Sequence, residues 1–140
     1  MNKTRKIIYW ISTVWLALGM TSTGVVQLFR LKADVDQMTH LGYPVYLLTI
    51  LGTWKILGVV AVLVPKFPVI KEWAYAGFFF AMSGAAISHI ISRDPVNQVL
   101  PALLLLFLTV VSWYLRPGSR RTTSVDSEVA NEKRIISNTA

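Results

Sequence analysis

The sequence predicts an all-α, polytopic membrane protein: a bundle of four transmembrane helices with both termini cytoplasmic. Three observations carry that prediction. Of 140 residues 54% are hydrophobic and only 15% charged, well below the quarter typical of soluble domains. The 14 Lys and Arg outnumber the 7 Asp and Glu, for a net charge of +7. The apolar residues are gathered in four runs, each long enough to cross a hydrocarbon core of about 30 Å. A nucleic-acid binder would cluster its basic residues among polar neighbours, whereas here they punctuate apolar stretches. The absence of cysteine excludes disulfides, thiolate metal sites and iron–sulfur ligation.

The runs cover residues 7–29, 45–64, 73–91 and 96–115. Residues 1–117 therefore form one transmembrane domain. The first run follows Lys3, Arg5 and Lys6 in the manner of a signal peptide. It is longer than the 7–15 apolar residues of a signal, so it is read as a retained helix. Pro65 and Pro68 end the second helix and restart the chain, since neither has an amide N–H. Pro95 opens the fourth helix, and Pro101 lies in its first turns or kinks it. Tyr9, Trp10, Tyr46, Trp73, Trp113 and Tyr114 fall near span ends, where aromatic rings prefer the interface. Residues 118–140, rich in Ser, Thr, Asp, Glu and Asn, read as a disordered cytoplasmic tail, with Arg120 and Arg121 within reach of anionic headgroups.

Orientation follows from charge asymmetry. Cytoplasmic termini put Lys3, Arg5, Lys6, Lys66, Lys71, Arg116, Arg120 and Arg121 on one side. Only Arg30, Lys32 and Arg93 fall on the other.

Lys55 breaks this pattern. It sits in the middle of the second span, where a Lys costs about 2.5–3.5 kcal/mol. The interface is about 15 Å away, beyond the reach of its side chain. Gly52 and Gly58 flank it at three-residue spacing and allow close helix approach, so Lys55 faces inward toward a partner group or a wet cavity. Its side chain points toward the helix N-terminus, which makes His89, Asp94, Asp34 and Asp36 the candidate neighbours. Gly77, Ala81, Gly84, Ala85 and Ser88 form a small-residue stripe on the third span, read as a packing face that continues into His89 and Ser92.

Glu72, at the start of the third span, is read as complementing the helix N-terminus and pairing with Lys71 or Lys66. The alternative turns it inward to neutralise Lys55. Asp34, Asp36 and His40 lie in a short amphipathic segment read as a solvated turn, because their spacing matches no closed metal-ligand set. No metal site is expected, and a haem between His40 and His89 is set aside.

The stretch LGYPVYLLTILGTWKILGVVAVLVPKFPVIKEWAYAGFFFAMSGAAISHIISRD resembles the DoxX-like family of small four-helix bacterial membrane proteins. The resemblance is carried by Gly42, Tyr43, Pro44, Gly52, Trp54, Lys55, Gly58, Pro65, Glu72, Trp73, Ala74, Tyr75, Gly77, Gly84, Ser88, His89 and Asp94. It covers the second and third spans with their loops; the first and fourth match in general character only. The wider group includes a membrane subunit of thiosulfate:quinone oxidoreductase and members linked to oxidative-stress complexes. The resemblance implies a multi-pass protein of the bacterial inner membrane with a quinone-linked role, and assigns no catalytic role to Lys55, Glu72 or His89.

Three functions compete. In the first, a redox-associated subunit binds quinone or a lipid-like ligand between helices. Lys55 or His89 bonds a carbonyl, Trp54 and Tyr75 pack the ring, and Ser88 and Glu72 complete the candidate polar site. Any electron transfer then needs a membrane or redox protein partner. In the second, Lys55 and the small-residue stripe serve packing in a structural or assembly partner. In the third, behind both, the chain is a small transporter. The spans hold no predicted carboxylate to take cations, which leaves anion or proton-coupled transport.

Overall fold

The computed structural model describes residues 2–117 and 122–140, with side chains in the second segment described from residue 127. Its helices are α1 (Lys3–Leu28), α2 (Lys32–His40), α3 (Tyr46–Leu63), α4 (Pro68–Ile91), α5 (Val96–Tyr114) and α6 (Thr122–Thr139). Four of them, α1, α3, α4 and α5, are long and apolar enough to cross a membrane. At 18 to 26 residues they span about 27–39 Å. Compared with the apolar runs, α1 starts earlier, at Lys3, and α4 earlier, at Pro68, because helix geometry continues into the polar interface.

The four spans form a ring: α1 packs on α3 and α5, and α4 packs on α3 and α5. Arg5, at the start of α1, donates to the Tyr114 carbonyl at the end of α5, so both ends of the bundle's chain lie together. We call this the terminal end, and the opposite one, with α2 and the α4–α5 loop, the distal end. Leu16, Met20, Val59, Val62, Tyr75, Phe78 and Met82 fill the centre. Trp15, Trp54, Phe80, Ile91 and Phe107 point outward, as expected of helices apolar on every side.

Close approach is concentrated where α1 crosses α3. A methyl group added to Gly52 would stand 2.7 Å from the Gly24 carbonyl oxygen, so glycine is required there. Gly58 makes room for the Phe78 ring on α4. The stripe on α4 behaves differently. Ala81 and Ala85 pack against buried neighbours, but nothing lies within 4 Å of a methyl built on Gly77 or Gly84. The buried face of α4 is Lys71, Tyr75, Phe78, Met82, Ala86 and His89, so the glycines of the stripe face out of the bundle. Spacing alone does not distinguish a smooth outer strip from an inner seam.

Two segments read as irregular are helical. The loop after the first span contains α2, which has no buried residue. The tail expected to be disordered holds α6, whose described side chains are all exposed. Its run of Glu128, Ala130, Glu132, Lys133 and Arg134 consists of good helix formers, which overrides the polar composition. Arg120 and Arg121 lie outside the described residues. Pro101 stays within α5, in its second turn.

Candidate functional site

The polar residues singled out in the sequence separate into three centres at three depths.

At mid-bundle, Lys55 is 7% exposed. Its ammonium donates to the Thr23 hydroxyl of α1 at 3.3 Å. That hydroxyl spends its own proton on the Gly19 carbonyl at 3.0 Å, leaving its lone pairs to accept from Lys55. An ammonium carries three donors, and Thr23 is its one hydrogen-bond acceptor among the described residues. Asp34 of α2 is the carboxylate whose field reaches it. Neither His89 nor Glu72 does so: each is engaged at an opposite end of the bundle.

Lys55 also lines a crevice between α3 and α4 of about 350 Å³, together with Trp54, Gly58, Trp73, Gly77 and Phe78. Its wall is overwhelmingly apolar. Trp54 itself is 66% exposed, pointing about 100° around α3 from Lys55. It flanks the crevice from the outside.

The terminal end holds a second centre. Glu72 pairs with Arg116 at 2.5 Å and accepts from the Trp113 indole N–H at 2.9 Å. It lies one turn inside α4, outside the first turn, where no acidic residue falls. It therefore does not cap that helix, and its carboxylate reaches across to α5. The Arg116 guanidinium lies over the rings of Tyr75 and Trp113, at 5.4 and 5.5 Å. The Tyr75 hydroxyl is hydrogen-bonded to the Ser112 hydroxyl at 2.8 Å, and Ser112 to Thr13 at 2.6 Å. Beside this network, Glu72, Tyr75, Phe79, Phe80 and Trp113 help line a second crevice of about 410 Å³ between α4 and α5.

In the sequence Lys71 reads only as a cytoplasmic-side anchor or a local partner for Glu72. It is 1% exposed, and its ammonium donates to the carbonyls of Ala61, Val62 and Val64. Those carbonyls lie in the last turn and at the C-cap of α3, where outside donors complete the helix end, so Lys71 is a side-chain cap for the neighbouring helix. The chain reverses through Lys66 and Phe67, both left-handed at φ 70° and 55°, which brings residue 71 back over the end of α3. Nothing in the local sequence separates such a lysine from an interfacial one.

The third centre is distal. His89 Nδ1 meets Asp94 Oδ2 at 2.7 Å, and His40 Nε2 meets Asp94 Oδ1 at 2.7 Å. Gln37 presents its amide nitrogen to His89 Nε2 at 3.3 Å. With that donor opposite, Nε2 accepts and the His89 proton sits on Nδ1, donated to Asp94. The hydrogen bonds from His89 and His40 hold the Asp94 carboxyl below its ordinary 3.8. Ser88 bonds Tyr43 at 2.7 Å. His40 is thus tied to the bundle, where the sequence suggested a solvated turn.

The fold and these centres define a multi-pass membrane protein with buried polar groups on three levels of one helix bundle. A family described as the DoxX-like family matches residues 11–112, and the chain belongs to it. The match extends over most of α1 and most of α5, beyond the second and third spans that carry the resemblance by eye. No curated protein and no solved structure matches the chain.

Proposed function

We propose that the chain is a redox-associated subunit of the bacterial inner membrane that binds a quinone in the α3–α4 crevice, with Lys55 donating to a ring carbonyl. One observation carries the reading. Among the described residues, a mid-membrane ammonium with three donors has a single long hydrogen bond, to Thr23, and it borders an apolar crevice of about 350 Å³. That volume lies in the range of small-molecule sites. Gly77 leaves the space open, and Trp54, Trp73 and Phe78 offer aromatic faces for a flat ring.

A bound quinone would supply two-electron, two-proton chemistry. The chain's part is to position the ring, donate a hydrogen bond to its carbonyl from a site of low dielectric, and exclude bulk water. With no cysteine in the sequence, thiolate-held clusters must come from a partner protein. The basic excess at the terminal end supports cytoplasmic termini. Tyr75, Glu72, Ser88 and His89 stand apart from this crevice and are not assigned to the ring.

The test is titration of the purified protein in nanodiscs with a short-chain quinone, read by quenching of tryptophan fluorescence. Trp54 and Trp73 flank the crevice, so saturable quenching is expected, weakened at least ten-fold in Lys55→Met. Non-saturable quenching, or equal affinity in the variant, refutes the reading.

A second reading, assembly with another membrane helix, is favoured by the open strip at Gly77 and Gly84. Small residues are what close helix approach in lipid requires. Gly84→Leu should then abolish recovery of a partner that survives Lys55→Met.

A further inference from the structure

The distal centre does more than tie off polar groups. The nine-residue α2 has no buried side chain, so little apolar burial holds it to the bundle. The polar contacts described for it and for the turn that follows converge on the distal end of α4 and the loop beyond it. His40 reaches Asp94 at 2.7 Å, Gln37 reaches His89 at 3.3 Å, and Tyr43 reaches Ser88 at 2.7 Å. These are bonds that can be exchanged for water at small net cost.

The segment is bracketed by two residues in the left-handed region, Arg30 at φ 50° and Gly42 at φ 82°. Open space surrounds Gly42. Arg30 is pinned to the Thr49 hydroxyl of α3 at 2.9 Å, which holds the α1 side of the bracket, while Gly42 supplies the backbone freedom of a residue without a Cβ.

Beneath this segment lies Lys55. Its side chain leans toward the N-terminal, distal end of α3, its acceptor Thr23 stands on the distal half of α1, and Asp34 of α2 is the carboxylate that acts on it. The Gln27 side-chain oxygen, one turn beyond Thr23 on α1, is buried without a hydrogen-bond partner among the described residues. Lys55, Thr23 and Gln27 thus mark a column of polar groups leading from mid-bundle toward α2.

We propose that α2 is a hinged lid on the distal end, latched by Asp94 bridging His40 and His89, and that it governs access of water to Lys55. Asp94 suits the role. Its side chain is 7% exposed while that of His40 is 55% exposed, so the carboxylate is a fixed post inside the rim and His40 a removable hook. His89, 8% exposed, orients the post from behind. The lid closes the aqueous route, while the α3–α4 crevice remains the lateral, lipid-side route. It does not depend on which ligand the crevice takes.

The absence of cysteine makes the test clean. In nanodiscs, Lys55→Cys gives one thiol, probed with a charged, membrane-impermeant thiosulfonate. Adding Asp94→Ala should raise the labelling rate at least ten-fold. Thr23→Cys, on the same column, repeats the comparison if Lys55→Cys does not fold. In parallel, hydrogen exchange of the α2 amides should accelerate at least ten-fold in Asp94→Ala, with α3, α4 and α5 unchanged. Equal labelling rates with and without Asp94, or exchange that rises alike in every helix, overturns the lid.

Discussion

Replacing Gly52 with alanine places a methyl group against a part of the bundle that cannot yield by rotating a side chain. The new carbon would stand 2.7 Å from the Gly24 carbonyl oxygen and 2.9 Å from Leu28 Cγ, where ordinary contact begins at 3.4 Å. Leu28 can change rotamer, but a helix carbonyl cannot. The axes of α1 and α3 must therefore separate locally by about 0.7 Å, the shortfall against that ordinary contact. That shift acts on the Lys55–Thr23 bond, already 3.3 Å long, and carries it past useful geometry. Overpacking of this kind costs about 1–3 kcal/mol, against a gain of under about 1 kcal/mol from alanine's better helix propensity. The control is Gly84→Ala, where the added methyl meets nothing within 4 Å and stability should change by no more than about 0.5 kcal/mol. Reversible unfolding of both variants in bicelles gives the comparison. Equal stabilities would refute the assignment of Gly52 to a tight interface and of Gly84 to the outer strip.

Three further outcomes follow from the other centres. Lys71→Met, which keeps most of the volume but no donor, should cost about 1–3 kcal/mol by stranding the carbonyls at the end of α3. It should accelerate hydrogen exchange in the adjoining α3–α4 turn first. Glu72→Leu leaves the Arg116 guanidinium buried without its carboxylate and should destabilise by about 1–3 kcal/mol. This is less than the 3–5 of a fully buried pair, because Glu72 is 31% exposed; Arg116→Leu in the same chain should recover most of the loss. The Asp94 carboxyl is held below its ordinary 3.8, so the stability it contributes is complete above that value. It is lost as pH falls through the lower folded-state value. Unfolding followed from neutral to acid pH should therefore show an acid-limb loss below about 4 that Asp94→Asn lacks.

The membrane architecture was legible because it depends on length and composition, which span prediction reads directly. The inward setting of Lys55 was legible for a related reason: no lipid-facing position tolerates an ammonium so far from the interface, and its flanking glycines mark the face. Its partner was not legible. Thr23 is an ordinary helix threonine 32 residues away, and nothing before the fold says that α1 rather than α4 supplies the acceptor. Glu72 and Arg116 were separated in the same way, each looking like an interfacial charge until the α4–α5 contact brings them together. The stripe on α4 misled because lipid and a neighbouring helix are equally apolar, so small residues carry no sign for inside or outside. Tyr75 and His89 share a helix face with Lys71, yet they sit four turns apart at opposite ends of the bundle. Adjacency on a face therefore did not make them one site.

Under the proposed function, the α3–α4 crevice and the Lys55 ammonium together receive a quinone ring. Photolabelling of the purified protein with an azido-quinone, followed by peptide mapping, tests it most directly. Label should concentrate on the segments carrying Trp54 and Trp73, be displaced by excess unlabelled quinone, and fall at least ten-fold in Lys55→Met. Label spread evenly over the lipid-facing helices, or retained undiminished in Lys55→Met, would contradict it.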